Sequence, residues 1–223
     1  MQRTELVIFD CDGVLVDSEP LAAAVLAEAL RELGFAADEA FVYRHFLGKS
    51  VATMRRIFAD ELRWELPEDF VDGLLPRLQR RFRDELQAID GMAGLIRGLG
   101  VPCCVASSSS PDRLHLALEL AGLLPLVTPH VFSATMVPRG KPWPDLFLLA
   151  AERMGAAPGR CVVVEDSEAG VQAARAAGMR VVGFTGGGHA ASPEHRAMLE
   201  AAGASAIAAS AAELPALLDL GEA

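Results

Sequence analysis

The chain has 223 residues, 52% of them hydrophobic, and a formal net charge of −10. That length and apolar fraction can bury a full core in one large or two modest domains. The acidity argues against nucleic acid and anionic membranes as partners, since both are bound by concentrated Lys and Arg.

The longest membrane-sized stretch without Asp, Glu, Lys or Arg, Ala121 to Pro138, is broken by Pro125, Pro129 and His130, so it does not read as a spanning helix. At the N-terminus a short apolar run ends in Asp10, with no basic region leading into a long apolar one. No export signal is expected, and the cytoplasm is the expected location. Cys11, Cys103, Cys104 and Cys161 lack C-x-x-C spacing and sit mostly in apolar runs, which suits buried thiols in a reducing compartment.

Short apolar runs of strand length recur along the chain: Leu6 to Phe9, Cys103 to Ala106, Val131 to Phe132, Val162 to Val164 and Val181 to Phe184. They read as buried parallel strands. Helical segments lie between them. Ser110-Pro111 opens one and Gly122 closes it, Pro144 and Gly155 bracket the next, and Ser192-Pro193 and Gly203 bracket another. The Ala-rich end, Ala201 to Ala212, reads as a last helix, a short strand and a tail. Strand alternating with helix predicts a doubly wound α/β sheet. From Glu19 to about Leu86 there is only amphipathic helical pattern, such as Leu26, Leu30 and Leu33. An all-α domain over 17–86, inserted into an α/β core of 1–16 and 87–223, accounts for this better than a structureless loop.

Ligands of open α/β sheets bind beyond the carboxyl ends of the strands. The first run ends in Asp10-Cys11-Asp12-Gly13. Residues two apart in an extended segment face the same side, so the two carboxylates can share a pocket, one as nucleophile and the other as general acid/base. Alone, the string reads equally well as ordinary turn residues. The second run leads into Ser107-Ser108-Ser109-Ser110, where Ser107 and Ser108 can hold phosphate oxygens, although serines before Pro111 also serve as helix caps. Lys141, in Gly140-Lys141-Pro142-Trp143-Pro144-Asp145, is an ammonium held between glycine and proline. The fourth run ends in Glu165-Asp166, adjacent acids that suit a hard cation such as Mg²⁺, while Asp166 could instead cap the following helix.

These residues give the chain its likeness to a known family. The strings DCDGVLVDSEP (Asp10 to Pro20), VASSSS (Val105 to Ser110), GKPWPD (Gly140 to Asp145) and VVVEDSEAGVQAARAAGM (Val162 to Met179) resemble those of the haloacid dehalogenase-like hydrolases, in the branch with a helical cap after the first strand. The resemblance implies that Asp10 forms a phosphoaspartate and that Asp12 is the acid/base. It further implies that Ser107 and Lys141 bind the transferring phosphoryl group, and that Asp10, the Asp12 carbonyl, Glu165 and Asp166 hold Mg²⁺. A small phosphorylated metabolite is the implied substrate.

Relatives that are true dehalogenases or phosphonatases lack an acid at the position of Asp12, which favours phosphate esters here. The β-phosphoglucomutase relatives carry a histidine where this chain has Ala22, which favours hydrolase over mutase. A signalling receiver module would carry its acceptor in a middle strand and no helical insertion, whereas here Asp10 and Asp12 are paired at the first strand; a non-catalytic binding protein would not keep a competent residue at every chemical position. Substrate choice is expected in the cap, around His45, Gly48 and Lys49. The similarity of Phe46-Leu47-Gly48 and Glu85 to Gly91 to bacterial sugar-phosphate phosphatases points to a sugar phosphate. The arginines Arg77, Arg80, Arg81 and Arg83 read as a solvated helix face. No role beyond a surface loop is legible in Gly186-Gly187-Gly188-His189.

Overall fold

The structure, a computed structural model, describes residues 3–46 and 51–220. The chain divides into two compact units, Met1–Asp17 with Gln87–Ala223 and Ser18–Leu86. Among the described residues no helix is long and apolar enough to cross a membrane.

Strand β1 (Leu6–Phe9) opens the first unit, and the second unit follows it directly with α1 (Glu19–Glu32), α2 (Glu39–Phe46), α3 (Val51–Arg56) and α4 (Phe70–Glu85). Leu30, Val42, Phe46, Ile57 and Phe58 form the helical unit's core. Phe35 packs on the rings of Phe41, Phe58 and Trp64 at centroid distances of 5.4, 5.3 and 5.2 Å. Two of the four arginines tie α4 to α1, through Arg77 to Glu32 at 2.7 Å and Arg81 to Glu28 at 3.2 Å. Both pairs are substantially exposed, so each contributes little to stability.

The first unit continues with α5 (Met92–Gly98), β2 (Cys103–Ser107), α6 (Pro111–Leu120), α7 (Leu124–Val127), β3 (Val131–Ser133), α8 (Asp145–Arg153), β4 (Cys161–Glu165), α9 (Glu168–Ala176), β5 (Arg180–Phe184), α10 (Pro193–Ala202), β6 (Ala206–Ala208) and α11 (Leu214–Leu217). The six strands form one sheet in the order β3-β2-β1-β4-β5-β6, parallel at every pairing. The fold is thus the doubly wound α/β class that the apolar runs predict. All four side chains of β1 are completely buried, as an unbroken apolar run requires of a central parallel strand. Leu6 and Ile8 face one core together with Cys104, Phe147, Val163 and Val171. By alternation Val7 and Phe9 face the other side of the sheet.

One sequence expectation is corrected at the C-terminal end. No simple tail follows β6, because the chain turns through Ala211–Glu213 into α11. Leu214 and Leu218, one helical turn apart, are both fully buried and dock this piece on the core. The four cysteines are free thiols. Burial raises the pKa of each, Cys161 to about 11, so all remain protonated at neutral pH.

Candidate active site

Strand order sets the position of the site. The chain runs from β1 outward through β2 and β3, then returns to the other flank of β1 with β4, so the crevice opens at the carboxyl ends of β1, β2 and β4. Asp10 is the first residue past β1, and its N–H donates to the Val164 carbonyl at 3.0 Å, which extends the ladder by one step. Beyond it the backbone doubles back, with Leu15 N–H donating to the Cys11 carbonyl and Gly13 N–H to the Val16 carbonyl. Gly13 has φ +77°, and a Cβ there would run into the Asp166 carboxylate. Turn geometry and close approach both demand glycine at this position.

Lys141 stands at the centre of the charge cluster. Its Nζ donates to Asp10 Oδ1 at 2.6 Å and to Glu165 Oε2 at 2.7 Å, with only 4% of its side chain exposed. The ammonium also lies 5.0 Å from the centroid of the Phe147 ring, a cation–π contact from the core side. Burial pulls the pKa of Lys141 down, but the Asp10 and Glu165 carboxylates outweigh it and raise its pKa, so it stays charged. Asp10 is held in the opposite sense. Burial raises its carboxyl well above the ordinary value, Glu165 and Asp166 push it further, and the pull of Lys141 returns only part.

The remaining oxygen of Glu165, Oε1, accepts from the Ser167 hydroxyl at 2.6 Å and from its N–H at 3.2 Å. Ser167 in turn caps α9 by accepting from Gly170 N–H at 3.1 Å. The cap of this helix is therefore Ser167 and not Asp166, which turns to the site. One oxygen each of Asp10, Glu165 and Asp166 lie within 4.8 Å of one another.

Asp12 is gripped from both sides. Its Oδ2 accepts from the Ser109 hydroxyl at 2.6 Å, and its Oδ1 from Arg113 Nη2 at 2.9 Å. In the serine run the side chains alternate as on a strand end. Ser107 is buried and its Oγ accepts from Ser109 N–H at 3.1 Å, whereas Ser108 is exposed. Ser110 occupies the N-cap position of α6 but makes no capping bond with its side chain. Ser133, at the end of β3, donates to the Ser109 carbonyl at 2.7 Å and fixes the loop.

The structure thus brings Asp10, Asp12, Ser107, Lys141, Glu165 and Asp166 to one end of the sheet. His45 lies in the helical unit, half-buried with its ring 4.5 Å from that of Phe41. Gly48 and Lys49 lie outside the described residues. Sequence reasoning missed Ser109, Arg113, His189 and His195. Ser109 had a signal in the period-two spacing from Ser107, and Arg113 one in its place in the first turn of α6. His189 Nε2 lies 2.9 Å from Asp166 Oδ2, and His195 Nε2 lies 2.6 Å from the Asp166 main-chain oxygen. Burial, the dominant influence, lowers the pKa of His195.

Comparison with known proteins agrees with this fold. Residues 4–178 match the family model described as haloacid dehalogenase-like hydrolase. Hexitol phosphatase A of Escherichia coli is 34% identical over 185 residues, covering 81% of this chain and 82% of the relative. The 6-phosphogluconate phosphatase of the same organism is 31% identical over 190 residues, covering 85% of this chain and 86% of the relative. Among solved structures, a HAD family hydrolase from Deinococcus radiodurans, crystallised with bound phosphate and sodium, superposes with a TM-score of 0.83 at 38% identity, covering 96% of this chain and 95% of that one. The chain belongs to the haloacid dehalogenase-like hydrolases and is a phosphatase of that family.

Proposed function

We propose that the chain is a Mg²⁺-dependent phosphatase that hydrolyses a small phosphorylated metabolite of the sugar-phosphate class through a phosphoaspartate on Asp10. The observation that carries this reading is the pairing of Asp10 with Lys141 at the switch point of the sheet, two residues before an Asp12 held by Ser109 and Arg113. The relatives named for 6-phosphogluconate and hexitol phosphates support the substrate class. The helical unit would act as the cap that selects among such substrates. Four free thiols of raised pKa suit a reducing cytoplasm.

The residues fit a divalent cation. Asp10, Glu165 and Asp166 bring three carboxylates together, two of them paired with the ammonium of Lys141. Like charges ~4 Å apart repel by about 4 kcal/mol at an effective dielectric constant near 20. Two positive charges on a hard, oxygen-seeking ion would balance the set, and each carboxylate keeps lone pairs for it beside its present hydrogen bonds. When bound, Mg²⁺ supplies charge stabilisation to the phosphoryl oxygens.

The chain's own groups supply the rest. Asp12 enters as the neutral acid: an Asp10 oxygen attacks phosphorus, the P–O bond to the substrate alcohol breaks, and Asp12 gives that alcohol its proton. Asp12, now a carboxylate, takes a proton from water as the water attacks phosphorus. The P–O bond to Asp10 then breaks and inorganic phosphate leaves. Lys141 and Ser107 stabilise the charge on the phosphoryl group throughout.

With Mg²⁺ and 4-nitrophenyl phosphate, the purified protein is expected to release phosphate, and excess EDTA to stop it. Absence of turnover with this ester and with a panel of sugar and polyol phosphates would sink the proposal. A second expectation follows from the grip on Asp12. Ser109→Ala removes a hydrogen bond that stabilises Asp12 as it gives up its proton and becomes a carboxylate, worth about 1.5–3 kcal/mol or ~10–100-fold in rate. The loss should be largest for alkyl phosphates, whose leaving alcohol needs a proton, and equal losses for alkyl and aryl esters in single-turnover phosphorylation would contradict it.

A further inference from the structure

The segment after β5, Gly186 to His189, is drawn into the site. His189 has 2% of its side chain exposed, and its Nε2 lies 2.9 Å from Asp166 Oδ2. The loop is anchored where Gly188 N–H donates to Asp17 Oδ1 at 2.9 Å. A Cβ on Gly187 would stand 2.9 Å from the Gly13 carbonyl oxygen, so the loop passes the first-strand turn at a distance that only glycine permits. A second imidazole takes the backbone of the same aspartate. His195, in the first turn of α10, is set by Ser192, whose Oγ accepts from His195 N–H at 3.1 Å. Its Nε2 lies 2.6 Å from the Asp166 carbonyl oxygen. A carbonyl oxygen only accepts, so this Nε2 carries the proton. The two rings meet edge to face with centroids 5.3 Å apart, so each limits the rotation of the other.

We propose that His189 and His195 are positioning residues for Asp166. His189 fixes its carboxylate and His195 its main chain, so that an incoming divalent cation meets a preset ligand instead of one that must be ordered on binding. This rests on the reading of Asp166 as a metal ligand. One Asp166 oxygen is engaged by the His189 imidazole, and Asp166 also offers an oxygen to the cluster it shares with Asp10 and Glu165. Outer partners of this kind govern affinity, and removing one weakens metal binding by about 10–100-fold.

The test is direct metal binding, with Mn²⁺ followed by electron paramagnetic resonance and Mg²⁺ by calorimetry. His189→Ala is expected to bind both ions about 10–100-fold more weakly, with kcat at saturating metal changed far less. His189→Gln, whose side-chain N–H₂ can donate to Asp166, should recover most of the affinity. Should His189→Ala fail to fold, His189→Leu keeps the buried volume without the hydrogen bond and carries the same expectation. Unchanged affinity in the Ala or Leu variant overturns the proposal, as does an equal loss in His189→Gln. A parent protein that takes up neither ion overturns the metal-dependent reading as well, which separates the two failures.

Discussion

Asp10→Asn is expected to abolish turnover of every phosphate ester while raising the thermal midpoint of the metal-free protein. The first half follows from chemistry, because a neutral amide in place of the carboxylate cannot form the acyl phosphate. The second half follows from the charge cluster. Burial, then Glu165 and Asp166, raise the Asp10 carboxyl well above its ordinary value despite Lys141. An acid whose pKa is higher folded than unfolded adds stability below the unfolded value and gives it up as pH rises through the folded one. At neutral pH the Asp10 acid is therefore a net cost, which the uncharged asparagine does not carry. The gain should be absent near pH 4, the ordinary range of an aspartate, and grow toward neutrality. Calorimetric scans in EDTA across that range check it, and a lower midpoint at pH 7 would show that the attraction of Lys141 outweighs the repulsion. If Asp10 is a ligand as proposed, Mg²⁺ should raise the parent's midpoint by mass action and the variant's by less.

The strands could be read because central parallel strands are buried on both faces and appear as unbroken apolar runs, as Leu6 to Phe9 do. The helical insertion could be read because no such run occurs between Glu19 and Leu86. Strand order could not be read. Nothing local says that β4 returns to the flank of β1, although that return places Glu165 and Asp166 beside Asp10. At the site, groups that follow strand ends stood out, whereas those that support them did not. Arg113 reaches Asp12 from a helix 101 residues on, and His189 and His195 reach Asp166 from a loop and a helix start with no spacing that advertises the contact. Four consecutive serines carry no label either. The strand geometry turns Ser107 and Ser109 inward and leaves Ser108 in solvent.

Lys141→Met is expected to cost both activity and fold stability, and to do so in a pH-dependent way. Methionine keeps most of the buried volume but removes the ammonium, which lies within 2.7 Å of both Asp10 Oδ1 and Glu165 Oε2 and 5.0 Å from the centroid of the Phe147 ring. Breaking a buried ion pair by removing one partner costs about 3–5 kcal/mol, because the remaining charge is left uncompensated. For a protein of this size each kcal/mol moves the thermal midpoint by about 2–4 °C. The deficit should be largest at neutral pH and shrink as pH falls, since the Asp10 carboxyl, raised by burial, takes up a proton more readily in the folded state than in the unfolded one once the ammonium is gone. Activity should fall by at least ~10²–10³-fold, the usual consequence of losing a preorganised charge at a reacting oxygen. If Mg²⁺ binds among Asp10, Glu165 and Asp166, its two charges will replace part of what Lys141 supplied, so the metal should stabilise this variant more than the parent. Equal stability of variant and parent in EDTA at pH 7 would show that Asp10 and Glu165 are not ionised around Lys141, and would remove the electrostatic basis for the site.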